Sequence, residues 1–113
     1  MNWLILTESN QLEDITQSSY SEAIIIYKHS TRCGICLLVK KQLENDWSAT
    51  LQNVQGYYLD LLKYRSLSNE IAEKYGVYHQ SPQVLVIKNG VCIYSASHSE
   101  ISAETLAEKV KLL

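Results

Sequence analysis

The sequence predicts an α/β fold in which a mixed five-stranded sheet is flanked by four helices. Apolar segments with strand character alternate with helical segments, which is typical of parallel strands joined by right-handed helical crossovers. An Asn-Gly pair between two apolar runs near the C-terminus indicates a hairpin, which adds antiparallel strands. The 113 residues are 46% hydrophobic, enough for one globular domain over residues 1–113.

The first half of the chain is predicted to have the order βαβα. Residues 3–6 form a short strand, and Thr7 or Ser9 caps the helix that follows. Residues 23–27 are apolar and mostly β-branched, as in a central strand covered on both faces. A helical pattern then runs from Cys36 into the mid-forties. The buried side of the first helix is predicted to carry Leu12, Ile15 and Tyr20.

The second half is predicted to have the order βαββα. A strand over 54–61 precedes a third helix, for which Gly76 is the expected C-cap. Runs 84–87 and 91–94 flank Lys88-Asn89-Gly90 and form the hairpin. The buried face of the third helix comprises Leu67, Ile71 and Tyr75, and that of the last helix Ile101, Leu106, Val110 and Leu113.

Charge and composition exclude several function classes. The net charge is −2 and basic residues are dispersed, so we expect no nucleic-acid partner and no membrane-surface binding. The N-terminal apolar run is too short for a signal peptide, and we predict a cytoplasmic location, where thiols stay reduced. Three cysteines is an odd number, which argues against a structural disulfide framework.

The most informative segment is Cys33-Gly34-Ile35-Cys36, between an apolar strand and a helical pattern. Two thiols one helical turn apart can close into a disulfide, and the positive end of a helix stabilises a thiolate. We predict thiol–disulfide chemistry in which Cys33 is the nucleophile and the more buried Cys36 resolves a mixed disulfide.

Two other interpretations of this cysteine pair stay open. The cysteines could be small core residues, or they could be half of a zinc site. Zinc would need two more ligands, for which the candidates show no paired spacing, and we expect neither a metal nor a bound cofactor. These candidates are His29, His79, His98 and Cys92. Cys92, in an apolar strand, is expected to be an inert core residue.

Basic residues precede the nucleophile. Arg32 adds a positive charge next to Cys33, and Lys28 and His29 are candidates to add more. We therefore expect the pKa of the Cys33 thiol to lie below that of free cysteine. His29 is also a candidate to move a proton.

Pro82 is the only proline in the sequence and lies just before a predicted strand. Both a cis Ser81–Pro82 bond and an ordinary trans bond are compatible with this position. If the hairpin packs against the central strand, Pro82 lies beside the cysteine pair. The Ser81 backbone is then a candidate to pair with an extended substrate.

These segments resemble the thioredoxin superfamily over nearly the whole chain. The resemblance rests on the strand–Cys33-Gly34-Ile35-Cys36–helix element and on residues 71–77, 81–82 and 84–90 at the appropriate separation. It implies a thioredoxin fold and a cis bond before Pro82.

A second resemblance is to the YtxJ-type bacilliredoxins, monothiol proteins like bacilliredoxin C. It rests on residues 27–33, which include Thr31, and on Trp3-Leu4 and Leu12. This resemblance implies that Cys33 takes bacillithiol off S-bacillithiolated cytosolic proteins. Bacillithiol is then a co-substrate, and a low-molecular-weight thiol or a redoxin or flavin reductase restores the protein.

The sequence departs from both patterns around the cysteines. Bacilliredoxins of this type often have proline and serine where this chain has Gly34 and Cys36, so an internal disulfide becomes possible. Thioredoxins have tryptophan and proline where this chain has Arg32 and Ile35, and a buried acid where it has Tyr27. These differences favour a small-thiol redoxin over a general disulfide reductase.

Two alternatives to the bacilliredoxin interpretation remain. One is a thioredoxin-like protein-disulfide reductase that uses Cys33 and Cys36 and is served by a flavin reductase. The other is a non-catalytic binding module or a redox sensor. Nothing in the sequence requires more than a monomer.

Overall fold

The computed structural model describes residues 3–30, 34–51 and 53–111. Its strands and helices follow the predicted order. The strands are β1 (Trp3–Ile5), β2 (Ile24–His29), β3 (Gln55–Asp60), β4 (Gln83–Lys88) and β5 (Val91–Ser97). The helices are α1 (Asn10–Ser18), α2 (Gly34–Thr50), α3 (Arg65–Tyr75) and α4 (Ala103–Lys111), and a short 3₁₀ helix (His98–Glu100) precedes α4.

The five strands form one mixed sheet in the order β1-β3-β2-β4-β5. β1 and β2 both pair with β3 in parallel, whereas β4 pairs antiparallel with β2 and with β5. Ile26 at the centre of β2 lies opposite Tyr57 of β3 and Leu85 of β4. The predicted α/β class, with a mixed sheet and four helices, is therefore confirmed.

Every residue of β2 is buried, because helices cover both faces of the sheet. Side chains alternate between the faces along a strand, so β2 contributes to two apolar clusters. On the face covered by α2 and α4, called here the α2 face, Ile25 and Tyr27 pack with Leu43 and Trp47. The opposite face, called the α3 face, is covered by α1 and α3. There Ile24 and Ile26 pack with Leu12, Ile15, Leu67 and Ile71.

Turn chemistry fixes the ends of two elements as predicted. Asn89 and Gly90 both have positive φ, 53° and 80°, which matches the twist of a two-residue hairpin turn. The Gly90 backbone also lies against Tyr20, since a Cβ built there would be 2.6 Å from the Tyr20 hydroxyl. Gly76 ends α3 in the left-handed conformation with φ 66°, and its N–H donates to the Ala72 carbonyl.

Several local predictions were wrong. Tyr20 does not lie on the buried side of α1: it follows the helix and is 59% exposed. Ser9 is at the N-cap position but makes no capping hydrogen bond, because its hydroxyl donates to Glu70 instead. The Gln11 side chain accepts from the N–H groups of Thr7 and Glu8.

The bounds of two helices also differ from the prediction. α2 begins at Gly34, before Cys36, and continues to Thr50. Ile101 precedes α4 but packs against the α2-face cluster, and Leu113 lies outside the described residues. Within 3–30, 34–51 and 53–111, no helix combines the length and apolarity that crossing a bilayer demands.

Candidate redox site

The candidate site lies where β2 ends and α2 begins. β2 ends at His29 and α2 begins at Gly34. Thr31, Arg32 and Cys33 fall outside the described residues. The expectations that Cys33 is less buried than Cys36 and has a lowered pKa, and that Arg32 supplies charge beside it, therefore stay predictions.

Cys36 lies in the first turn of α2 and is fully buried. Its sulfur is 3.6 Å from the Ser81 hydroxyl, although 45 residues separate the two in sequence. The Tyr27 hydroxyl donates to the Cys36 carbonyl at 2.9 Å. The start of α2 is thus tied to β2 by a buried hydrogen bond and lies against the loop that precedes β4.

The Ser81–Pro82 peptide bond is cis, the configuration that the resemblance implies. Pro82 is buried, and its carbonyl accepts from the His98 backbone N–H at 3.1 Å. The Gln83 side-chain amide donates to the Tyr78 carbonyl at 2.8 Å, which closes the loop on itself. These contacts hold Ser81 next to Cys36, so the structure brings together the two described segments that the sequence assigned to one site.

On the α2 face, a buried histidine lies beside the start of α2. His29 is 1% exposed, and its Nε2 is 2.5 Å from the Tyr58 hydroxyl. Its Nδ1 is buried and has no hydrogen-bond partner, although the Cys36 backbone lies close enough to raise the pKa of the ring. Burial, followed by the Lys40 charge, outweighs this and lowers the His29 pKa below 6.5.

The lowered pKa of His29 argues against the hypothesis that its ring adds positive charge near the nucleophile at neutral pH. A histidine whose pKa is lowered from 6.5 is an uncharged base at pH 7. The second role considered for this residue, moving a proton, is compatible with a neutral ring.

Polar side chains connect Tyr58 to the protein surface along α2. The Lys40 ammonium lies 5.1 Å from the centre of the Tyr58 ring and 2.8 Å from Glu44, to which the Trp3 indole also donates at 2.6 Å. Burial acts to raise the Glu44 pKa, but the hydrogen bonds from Lys40 and Trp3 outweigh it and lower the pKa. Glu44 therefore stays ionised and paired.

On the α3 face, the same end of β2 carries a buried cation. Lys28 is 0% exposed, and its ammonium donates to the Ser68 carbonyl in α3 at 3.1 Å. Burial lowers the Lys28 pKa from 10.5 to about 8. The Ser68 hydroxyl also lies 3.3 Å from Nδ1 of His79, which is in the loop before Pro82. Burial, then the charges of Lys28 and Arg65, lowers the His79 pKa.

Apolar side chains next to Cys36 in sequence are exposed to solvent, whereas Cys36 itself is buried. Ile35 is 63% exposed, and Leu38, one turn further, is 67% exposed. A Cβ at Gly34 would meet no atom within 4 Å, so the position has room for a side chain. The first turns of α2 therefore combine exposed apolar side chains with a buried thiol.

The remaining candidates for zinc ligands do not form a cluster in the described part of the chain. Among the described residues, no group of three or more histidine, cysteine or acidic side chains could hold a metal ion. Cys92 is half-buried, and its thiol donates to the Tyr94 carbonyl at 3.2 Å. Burial raises the Cys92 pKa, which fits the inert role predicted for it. His98 is exposed in the 3₁₀ helix.

Sequence reasoning missed three contacts of the site: Tyr27 with the Cys36 carbonyl, His29 with Tyr58, and Lys28 with Ser68. The alternation of a buried strand carried part of the signal, since it assigns Tyr27 and His29 to one face and Lys28 to the other. The partners on β3 and α3 could not be found this way, because nothing in the sequence fixes the register between strands and helices.

Solved structures share this fold over most of the chain. A protein proposed to be an oxidoreductase with a thioredoxin fold is 28% identical, with a TM-score of 0.82 over 94% of this chain and 91% of that one. Thioredoxin from Fasciola hepatica is 20% identical (TM-score 0.70, 96% and 97% covered), and thioredoxin from Schistosoma mansoni is 17% identical (TM-score 0.72, 98% and 94% covered).

Fold and site together define a thiol–disulfide oxidoreductase of the thioredoxin fold. Within that class, residues 5–106 match the sequence model of the family described as monothiol bacilliredoxin BrxC. The chain belongs to this bacilliredoxin family, as its resemblance predicted. Its second cysteine, Cys36, is notable in a family described as monothiol.

Proposed function

We propose that this protein is a cytoplasmic bacilliredoxin that removes bacillithiol from S-bacillithiolated proteins. The family match over residues 5–106 supports the substrate class. Support for a site of thiol exchange comes from Cys36, whose sulfur lies 3.6 Å from the Ser81 hydroxyl beside a cis-proline. That contact is the single observation on which the proposal most depends, because it joins the helix start that follows Cys33 to the loop where an extended substrate would pair.

The reaction begins with the Cys33 thiolate. It attacks the bacillithiol sulfur of the mixed disulfide, the protein thiolate leaves, and bacillithiol is then disulfide-bonded to Cys33. Two routes restore the enzyme. A second bacillithiol can attack the adduct, which releases bacillithiol disulfide and needs only Cys33. Alternatively, Cys36 attacks the Cys33 sulfur, releases bacillithiol as a thiolate and leaves a Cys33–Cys36 disulfide.

Cys36 also favours a second candidate, a thioredoxin-like protein-disulfide reductase. The same two cysteines would then reduce a protein disulfide and be reduced in turn by a flavin reductase. The residues at the site favour the bacilliredoxin over the reductase. Tyr27 stands where thioredoxins have a buried acid, and its hydroxyl donates to the Cys36 carbonyl.

Competition between two substrates tests the proposal. The reduced protein is offered a bacillithiolated protein and an insulin-type disulfide in separate assays. We expect faster turnover of the bacillithiolated protein; faster turnover of the disulfide would support the reductase, and activity on neither would support a binding module or sensor. Mass spectrometry of protein from oxidant-treated cells distinguishes a bacillithiol adduct on Cys33 from an internal disulfide.

Substitutions separate the roles of the cysteines. Cys33→Ser should abolish exchange, whereas Cys36→Ser should keep removal of bacillithiol from the substrate and accumulate the Cys33 adduct. Cys92→Ser is the matched control. The half-buried Cys92 thiol donates a hydrogen bond to the Tyr94 carbonyl, and its replacement should not affect turnover. If Cys36→Ser failed to remove bacillithiol while Cys92→Ser stayed active, the route that needs only Cys33 would be overturned.

A further inference from the structure

A buried cation lies on the α3 face of β2, where a charge is costly to keep. Lys28 is 0% exposed, and its ammonium donates to the Ser68 carbonyl at 3.1 Å. Among the described residues, no carboxylate forms an ion pair with it. Burying a charge costs free energy that an apolar side chain of similar size would not cost. A contribution to global stability is therefore a poor explanation for this lysine.

Gln83 lies directly opposite Lys28 on β4. Directly paired residues of antiparallel strands share one face of the sheet, with Cβ atoms roughly 5 Å apart. Gln83 is 3% exposed; its Nε2 donates to the Tyr78 carbonyl at 2.8 Å, and its buried Oε1 has no hydrogen-bond partner among the described residues. A positive charge on the same face attracts the oxygen end of the amide dipole and offsets part of the cost of burying it. The Lys28 charge thus favours the amide orientation that holds Tyr78.

A second connection from Lys28 runs through α3. Ser68 is fully buried; its carbonyl accepts from the Lys28 ammonium, and its Oγ is 3.3 Å from Nδ1 of His79. We call Lys28, Ser68, His79 and Gln83 the Lys28 cluster. This cluster contacts the loop before Pro82 at two consecutive residues, through the Tyr78 carbonyl and the His79 ring.

The loop over residues 78–81 connects the Lys28 cluster to the redox site. The Tyr78 side chain is 86% exposed, so its ring does not fix the loop, whereas its carbonyl is held by Gln83. At the other end of the loop, the Ser81 hydroxyl lies 3.6 Å from the Cys36 sulfur. The position of Ser81 therefore depends on contacts at the start of the loop as well as on the site itself.

We propose that Lys28 is a positioning residue for substrate binding: its charge orients the Gln83 amide and holds Ser68, so that the Ser81 backbone is in place to pair with an extended segment of a bacillithiolated protein. This inference deepens the proposed function and rests on it. Lys28 takes no part in the exchange of sulfur atoms. Its effect therefore falls on the binding of a protein substrate and not on the chemical step.

Steady-state kinetics with a bacillithiolated protein tests this role. Lys28→Met keeps the length of the side chain and removes its charge. We expect KM to rise roughly tenfold, as for the loss of one buried hydrogen bond, and kcat to stay unchanged. Lys28→Arg keeps the charge and should restore most of the wild-type KM. Lys74→Met, which alters an exposed lysine of α3, is the matched control and should behave as the wild type.

Two further measurements separate positioning from general damage. A small aromatic disulfide has no extended backbone to pair with the loop, so the wild type and Lys28→Met should react with it at the same rate. Amide hydrogen exchange needs no substrate: residues 78–81 should exchange faster in Lys28→Met and in Gln83→Leu than in the wild type. The free energy of unfolding of Lys28→Met at pH 7 should not fall, since a buried charge has been removed.

An equal loss of activity on the protein substrate and the small disulfide, or an unchanged KM and unchanged loop exchange in Lys28→Met, would overturn the proposal. The unmutated protein keeps it testable if the variants do not fold. The side-chain amide protons of Gln83 should exchange more slowly than those of the exposed Gln17, and equal rates would also overturn it. If the wild type does not turn over a bacillithiolated protein but loop exchange still responds to Lys28→Met, only the proposed function is contradicted.

Discussion

The last residues of β2 have two environments that differ in the kind of polar group they bury. On the α2 face, Tyr27 and His29 are uncharged and contact Cys36 and Tyr58. On the α3 face, the buried Lys28 ammonium donates to the Ser68 carbonyl. Neutral groups tolerate burial when hydrogen-bonded, whereas a buried charge without a counter-ion costs several kcal/mol.

The two faces therefore respond to pH on opposite sides of neutrality. His29 has a folded-state pKa below 6.5, so the unfolded chain binds more protons as pH falls below 6.5, and this group reduces stability there. Lys28 has a folded-state pKa of about 8 against 10.5, so the unfolded chain binds more protons between these values. Its contribution to stability therefore increases as pH rises through that interval.

The largest expected effect comes from Lys28→Met, which keeps the length of the side chain and removes its charge. Relative to this variant, the wild-type free energy of unfolding should increase by roughly 2–3 kcal/mol between pH 7 and 10. Urea denaturation at a series of pH values measures the difference. Taking the difference between proteins cancels the tyrosines and Cys92, whose raised pKa values act in the opposite direction.

Lys74→Met is the matched control for this experiment. Lys74 lies on α3 but is solvent-exposed, and its ammonium is 4.0 Å from Glu13. Exposed pairs of this kind contribute about 0–1 kcal/mol, so its pH profile should follow the wild type. A Lys28→Met profile parallel to that of Lys74→Met would show that Lys28 is not desolvated and would remove the contrast between the faces.

A smaller effect is expected from Tyr27→Phe on the α2 face. Loss of its hydroxyl bond to the Cys36 carbonyl should lower the free energy of unfolding by about 1 kcal/mol. Tyr75→Phe on the α3 face removes a comparable bond, to Thr16 at 3.0 Å, and should cost a similar amount. Only Tyr27→Phe should change the rate at which Cys36 forms the internal disulfide with Cys33, as followed by mass spectrometry. An equal change in both variants would show that the Tyr27 hydrogen bond has no specific effect on the cysteine pair.

The contrast between the faces also shows which features of the fold and the site could be predicted from the sequence. The order of elements and the hairpin followed from periodicity and from Asn89-Gly90, since these signals are local. The proximity of Ser81 to Cys36 was predicted only on the condition that the hairpin packs against the central strand, as β4 does by pairing with β2. The neutrality of His29 did not, because it depends on burial and on Lys40 one helix away. Tyr20 was misplaced because α1 ends before it and the chain turns outward.

The smallest effect concerns His79, which the structure links to Lys28 through Ser68. Burial is the main cause of its lowered pKa, and the Lys28 charge is the next. Because Lys28 has a pKa of about 8, it is mostly protonated throughout the pH range in which His79 titrates. Its charge therefore opposes each proton that binds to the imidazole.

Lys28→Met should consequently raise the pKa of His79, as followed by NMR of its ring protons. Arg65→Gln should raise it less, because Arg65 is exposed and solvent screens its charge. Lys74→Met should leave the His79 titration unchanged. If the His79 pKa stayed constant in Lys28→Met, the Lys28 charge would not contribute to its lowering. The loop before Pro82 would then be electrostatically independent of Lys28.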